Sequence, residues 1–247
     1  MESSPAIPAA TLVTVRERPS GPPELLMVER AAAMAFAGGA LVFPGGRIDD
    51  GDAALGEAHS DGPARVAAIR ETLEETAIPV GISPVPAPET ALAMQRALLG
   101  DEPFAELLQR HGLALDLDAL VPFARWVPKF HATRRFDTLF LLARAPGPDW
   151  QPRVVEGECS GAFWITAADA LERDRQGEAR LIFPTRRNLE RLALHGTFEA
   201  MRADAESHPI EPISPWVEEV HGENFITLPD GIGYPVTREK LDGLWRG

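Results

Sequence analysis

Cysteine is almost absent from this chain of 247 residues. The lone Cys159 excludes an internal disulfide, and no Cys/His group has the spacing of a zinc site. Lysine is nearly missing as well, with only Lys129 and Lys240, a bias that reads as genomic base composition rather than chemistry. Positive charge is in deficit: 24 Lys plus Arg stand against 37 Asp plus Glu, for a net charge of −13. Such a field repels phosphate and argues against nonspecific binding to nucleic acid or an anionic membrane. A phosphate-bearing ligand therefore needs local arginines or a divalent cation. No apolar run reaches the ~18 residues of a membrane-spanning helix. Met1–Ala10, with two prolines and an acid, lacks the basic-then-apolar pattern of a signal peptide. The expectation is a soluble, cytoplasmic protein.

Several catalytic motifs are missing too. The chain has no Gly-Lys-Ser/Thr of a P-loop, and no Gly-x-Gly-x-x-Gly between strand and helix to support a Rossmann reading. A Gly-x-Ser-x-Gly elbow is absent, so a Ser/His/Asp acyl hydrolase has no support. The six histidines are scattered with no pair at ligand spacing; His131 is notable only for lying near an arginine pair. What remains is 45% hydrophobic and 25% charged, enough to fill the core of one large domain or of one domain with an insertion.

The pattern predicts strands at Thr11–Arg16, Glu24–Arg30 and Ala40–Phe43, the last ending in Pro44-Gly45-Gly46. The acid- and glycine-rich stretch 49–62 reads as loop. Pro63 suits a first helical turn, and Val66, Ile69, Leu73 and Ala77 recur at helical spacing until Pro79 and Gly81. A proline-rich linker over 82–88 leads to two short amphipathic helices, about Glu89–Leu99 and Pro103–Gln109. Their apolar faces are Ala91, Leu92, Leu98, Leu99, Phe104, Leu107 and Leu108, set to pack on the core or to wall a groove beside a site. Strands resume at Ala124–Phe130, Phe136–Arg144 and Phe163–Thr166, with helices at Ala167–Arg175 and from Pro184 to about His195. This order predicts an α/β fold of the α+β type, a mixed sheet sandwiched between helices, with an inserted helical segment.

The sharpest chemical signal is Arg70-Glu71-Thr72-Leu73-Glu74-Glu75. At 100° per residue, Glu71, Glu74 and Glu75 fall within roughly a 100° arc, opposite Val66, Ile69 and Leu73. Three carboxylates on one arc repel one another, and a hard divalent cation reverses the sign of that interaction. The alternative is a solvated acidic face with Arg70 paired to Glu74. Upstream, the strand running into Pro44-Gly45-Gly46 supplies backbone that can approach a metal or diphosphate closely.

These residues resemble the Nudix hydrolase family, whose signature is Gly-x5-Glu-x7-Arg-Glu-U-x-Glu-Glu-x-Gly-U, with U bulky and apolar. Gly46 matches the first glycine; Arg70, Glu71, Glu74 and Glu75 match the second half; Ile78 matches the last apolar position. Asp52 stands where the first glutamate belongs, seventeen rather than seven residues before Arg70. A second register, Gly51 with Glu57, keeps the glutamate but loses the Pro-Gly-Gly anchor. Thr72 replaces the apolar position and Ala77 the second glycine.

Arg30, Gly39, Phe43-Pro44-Gly45-Gly46 and Asp49 are similar to the segment preceding this box in coenzyme A diphosphatases, although Ala35 occupies the place of a second arginine. Trp126-Val127-Pro128, Arg134-Arg135-Phe136-Asp137-Thr138 and Pro184-Thr185 are similar to the peroxisomal acyl-CoA-hydrolysing branch and its bacterial relatives. The resemblance implies a Nudix domain over about 10–195, with a helical insertion about 82–121, and an extension over 196–247 packed on the same domain.

It also implies metal-dependent hydrolysis of a diphosphate linkage in a nucleoside-diphosphate-linked compound, with coenzyme A or acyl-CoA leading. ADP-ribose or another ADP-sugar, or a catalytically silent nucleotide-binding module, are the alternatives. Implied metal ligands for Mg2+ or Mn2+ are Glu71, Glu74, Glu75 and the backbone of Gly46. Glu74, Glu75 and Arg70 form the catalytic set, with Arg70 orienting carboxylates. Glu156 and Glu158 are candidates for a further ligand or base, or else are exposed loop acids. Arg30, Arg134 and Arg135 are the candidates for substrate phosphate, and strand alternation lets only one of the last two face the site. Trp126 and Phe130 stack a base on one reading and fill the core on the better one. The implied partner is a nucleotide-containing small molecule, not nucleic acid or membrane, and a homodimer is open.

Overall fold

Strands β1 (Ile7–Arg16), β2 (Glu24–Arg30), β3 (Leu41–Val42) and β4 (Gly45–Arg47) open the chain, followed by helices α1 (Asp50–Gly56) and α2 (Gly62–Thr76). A short pair, β5 (Ile82–Ser83) and β6 (Ala114–Leu115), brackets helices α3 (Pro88–Leu98) and α4 (Phe104–His111). Then come β7 (Val121–Trp126), β8 (Phe136–Arg144), β9 (Cys159–Thr166) and helices α5 (Ala167–Arg175), α6 (Phe183–Leu192) and α7 (Phe198–Glu206). The end of the chain adds β10 (Pro212–Ile213) and a small antiparallel sheet of β11 (Trp216–Val220), β12 (Glu223–Thr227) and β13 (Arg238–Lys240). The computed structural model describes residues 5–31, 37–128, 135–154 and 159–241.

The main sheet is mixed, in the order β10-β7-β8-β1-β2-β3, with β4 paired to β1 and β9 to β2. β1 and β8 run parallel from Ile7↔Phe136 to Val15↔Arg144, whereas β1–β2, β1–β4 and β2–β9 are antiparallel. Strand alternation explains why both sheet faces are covered. Ala10 and Leu12 of β1, Leu26 of β2 and Leu141 of β8 join one apolar cluster with Val66, Ile69 and Leu73 of α2. Val13, Val15, Leu25, Met27, Phe140 and Leu142 join the other, with Leu189 and Leu192 of α6 and Phe198 and Met201 of α7. This is the expected helix–sheet–helix sandwich.

The inserted helices pack on the core beside α2 through Ala91, Met94, Leu98, Phe104, Leu107 and Leu108. Leu92 and Leu99 do not belong to that buried face; Leu99 is exposed and Met94 takes the inward position. Trp126 is a core residue: its indole N–H reaches Asn188 Oδ1 at 3.2 Å and the Tyr234 hydroxyl at 3.1 Å. Phe130 lies outside the described residues. The chain beyond α6 contributes to the same core through Phe198, Ile213, Leu228 and Tyr234, and β10 adds to β7 by Ile213↔Trp126.

One expectation fails in an informative way. The stretch 49–62 is not all loop, because α1 forms over Asp50–Gly56. Its first turn is closed by Asp52, whose Oδ2 accepts the Asp49 N–H at 2.9 Å. The glycines serve close packing: a Cβ on Gly56 would overlap the backbone at Gly62, and one on Gly62 would overlap that of Gly56. The backbones of α1 and the α2 start therefore touch, which only glycine permits.

Candidate active site

Four backbone devices fix the acidic end of α2. β4 pairs with β1 (Ala10↔Gly46, Thr11↔Gly45), which seats the Gly-Gly turn above the helix. The Gly45 N–H donates to Glu75 Oε2 at 3.2 Å. A Cβ at Gly46 would overlap the Glu71 carboxylate, so the backbone of Gly46 lies directly against that acid. At the helix end, Ala77 adopts the left-handed conformation (φ 58°) and its N–H closes on the Leu73 carbonyl at 2.8 Å. Thr72 and Thr76, both fully buried, return their hydroxyls to the Ala68 and Thr72 carbonyls at 2.7 and 2.5 Å. That explains a threonine where the signature has an apolar residue.

Arg70 is the hub. Its Nε and Nη2 reach Asp52 Oδ1 and Oδ2 at 2.9 and 2.8 Å, a bidentate pair in which Asp52 is 2% exposed. Nη1 lies 3.0 Å from Glu71 Oε1 and 3.3 Å from Glu74 Oε2. Nη2 also reaches the Arg47 carbonyl at 3.1 Å and Asp49 Oδ2 at 3.5 Å. Burial alone would pull the Arg70 pKa down, but the Asp52 hydrogen bond and the charges of Glu71, Asp52 and Asp49 outweigh it and hold the guanidinium protonated. Glu71 is pushed the other way. Burial raises its pKa to about 7, opposed by Arg70 and reinforced by Glu74 and Asp52.

The sequence placed Arg70, Glu71, Glu74, Glu75 and Gly46 in one site, and the structure brings them together. Asp52, the acid of the Gly46 register, joins them by pairing with Arg70 across seventeen intervening residues. Gln95 escaped the sequence reading. Fully buried on α3, its Nε2 donates to the Glu74 carbonyl at 3.0 Å and the Arg153 carbonyl at 2.7 Å. No spacing rule links a mid-helix glutamine to a carbonyl 21 residues earlier.

Arg30 is half-buried at the end of β2, beside Cys159 of β9, and its Nε meets no acceptor among the described residues. Arg135 immediately precedes β8, where its carbonyl accepts the Ile7 N–H at 2.7 Å. Both lie at strand ends on the side of the sheet edge that carries β4. Arg134, His131, Glu156 and Glu158 lie outside the described residues. Cys159 is buried.

The oxygen donor set suits a hard divalent cation. In the arrangement seen, Glu71 and Glu74 turn toward Arg70 and Glu75 toward the Gly45 N–H. Among the described residues, no three acidic, histidine or cysteine side chains form a ready metal cage. A cation held there would have to compete with Arg70 for Glu71 and Glu74. A cavity of about 350 Å³ opens elsewhere, near Arg65, Asp118, Arg202 and His208. Arg65 lies nine residues before Glu74, or about 13 Å along the helix, so the cavity is not part of this site. No described helix is long and apolar enough to cross a membrane.

No family model matches the chain. An uncharacterized Nudix hydrolase, NudL, of Cronobacter sakazakii is 45% identical over 71 residues, which are 29% of this chain and 31% of that protein. A NudL of Klebsiella aerogenes, likewise described as uncharacterized, is 41% identical over 71 residues, 29% of this chain and 50% of that protein. The chain thus matches half or less of the length of these curated relatives. The crystal structure of a Nudix hydrolase from Alicyclobacillus acidocaldarius superimposes with a TM-score of 0.70 at 31% identity, covering 80% of this chain and 96% of that one. With likeness in sequence and fold over nearly all of that enzyme, and with the box residues gathered around Arg70, the chain belongs to the Nudix hydrolase family.

Proposed function

We propose that the chain is a metal-dependent diphosphatase that hydrolyses nucleoside-diphosphate-linked compounds, with coenzyme A or acyl-CoA as preferred substrates. The observation that carries the reading is the convergence of Glu71, Glu74, Glu75 and the Gly45-Gly46 backbone on one face around Arg70. Residues 10–195 would be the catalytic domain and 196–247 an extension packed on it, in the cytoplasm.

Glu71, Glu74, Glu75 and the Gly46 backbone would hold Mg2+ or Mn2+, which supplies charge neutralisation for the diphosphate. Arg70 acts through the carboxylates it orients. Water adds across the P–O–P anhydride: one P–O bond forms, one breaks, and two phosphomonoesters leave. Glu156 and Glu158 are the candidates to accept the proton. Arg30, Arg134 and Arg135 are the candidates for the 3′-phosphate that distinguishes coenzyme A from ADP-sugars, because guanidinium binds phosphate by charge-assisted bidentate bonds.

The test is a panel of acetyl-CoA, free CoA, 3′-dephospho-CoA and ADP-ribose with Mg2+ or Mn2+, read by product mass, for the native protein and Glu74→Gln. Expected are a preference for 3′-phosphorylated substrates and a loss of roughly two to four orders of magnitude in the variant. Equal kcat/KM on CoA and dephospho-CoA would leave a general ADP-linked diphosphatase. No turnover of any substrate by the native protein would leave a binding module.

A further inference from the structure

We infer that Gln95, on the inserted helix α3, is a positioning residue for the acidic turn of α2, and that the insertion serves the site from behind. Gln95 sits among apolar neighbours on α3, whose buried positions are otherwise Ala91, Met94 and Leu98. Its Oε1 is buried and meets no donor among the described residues. A buried amide with an unmet acceptor is unfavourable for helix packing alone, where an aliphatic side chain of the same size would do better. Its two donated bonds give the amide a role.

The first bond goes to the carbonyl of Glu74. In an uninterrupted helix that oxygen would accept the Ile78 N–H, but the left-handed turn at Ala77 sends the Ile78 N–H to Thr76 Oγ1 at 3.3 Å instead. Gln95 therefore caps the peptide of an acid in the site. The second bond goes to the Arg153 carbonyl, and the Arg153 N–H returns to the Thr76 carbonyl at 2.8 Å. Helix α2, helix α3 and the segment leading to β9 close on one another through these three bonds. The closure fixes the direction of the last turn of α2, and with it the Glu74 and Glu75 side chains relative to the Gly45 N–H.

The inference rests on the metal-site reading, and the experiment separates the two. Purified full-length native protein, Gln95→Met and Gln95→Asn are titrated with Mn2+ alone, following thermal unfolding and calorimetric binding. Methionine keeps the volume and removes both donors; asparagine keeps the amide but shortens its reach. The expectation is a rise in the Mn2+ midpoint of about tenfold for methionine and a smaller rise for asparagine, as two or one hydrogen bonds are lost. A lower melting temperature in Mn2+-free buffer with an unchanged Mn2+ midpoint would make Gln95 a packing residue and overturn the proposal. Should Gln95→Met not fold, the asparagine midpoint decides in the same way. Native protein that binds no Mn2+ would overturn the metal-site reading itself.

Discussion

Replacing Glu71 with glutamine tests the electrostatics of the site without any substrate. The Glu71 side chain is 15% exposed, lies against the Gly46 backbone and titrates near 7, against 4.5 for the group in water. For an acid whose folded pKa is raised, the native state holds more protons than the unfolded state between those two values. Stability therefore falls as pH rises from about 4.5 to 7 and stays low above it. The size of that fall is about 3 kcal/mol at most, with the attraction of Arg70 already included. Glu71→Gln imitates the neutral acid, so at pH 8 in EDTA it should be more stable than the native protein by about 2–3 kcal/mol, or roughly 5–10 °C in Tm. The difference should vanish near pH 4.5, and Mn2+ should close it at pH 8 by stabilising the native protein alone. Differential scanning calorimetry from pH 4.5 to 8.5 with and without metal measures all three. A variant less stable than native at pH 8 in EDTA, or a gap independent of pH, would refute the reasoning.

The remaining predictions concern α1. Asp52→Asn removes one charge from a buried bidentate pair, but Arg70 keeps Asp49, Glu71 and Glu74, so the loss should be about 2 kcal/mol rather than the 3–5 of a fully stranded charge; urea unfolding measures it, and a change within 0.5 kcal/mol would make the pair ornamental. Gly56→Ala forces a methyl into the Gly62 backbone and should cost about 2–3 kcal/mol. Gly51→Ala, in the same helix with open space at its Cβ, should instead stabilise by about 0.5–1 kcal/mol. If both alanines shift the melting temperature in the same direction, the glycine contact between α1 and α2 is not what the packing indicates.

The elements that the sequence revealed are those with a strong period or a sharp boundary. Phe136–Arg144 and Ala167–Arg175 appear as expected to the residue, and Pro63 sits in the first turn of α2. What stayed hidden has a physical reason in each case. α1 buries only Asp52 and Gly56, so it has no apolar stripe to detect, and its glycines resemble loop residues although they serve helix contact. β4 is three residues long and two of them are glycine. β10 to β13 are short strands separated by Pro, Gly and charged residues, and their pairing is set by Trp126 and by one another. In the site, the Arg70-Glu71-Glu74-Glu75 cluster was visible because it lies on one helix turn. The Asp52–Arg70 pair was visible only as an alignment, and Gln95 not at all, because both depend on tertiary closure.

That closure accommodates the long box. Extending the gap between Asp52 and Arg70 from seven residues to seventeen adds only about 0.8 kcal/mol of loop-closure entropy. α1 carries Asp52 and runs four residues into that gap, and its glycine contact with α2 and its N-terminal turn deliver the Asp52 carboxylate to Arg70. Arg70 is then one cation facing Asp49, Asp52, Glu71 and Glu74. Asp52 takes two of its nitrogens with good geometry, while Glu71 and Glu74 share the third, Glu74 at the longer distance of 3.3 Å. On the metal-site reading, Asp52 would fix the arginine while Glu71 and Glu74 turned to a divalent cation. A helix face with that division would keep its hub in place while Glu71 and Glu74 exchanged partners.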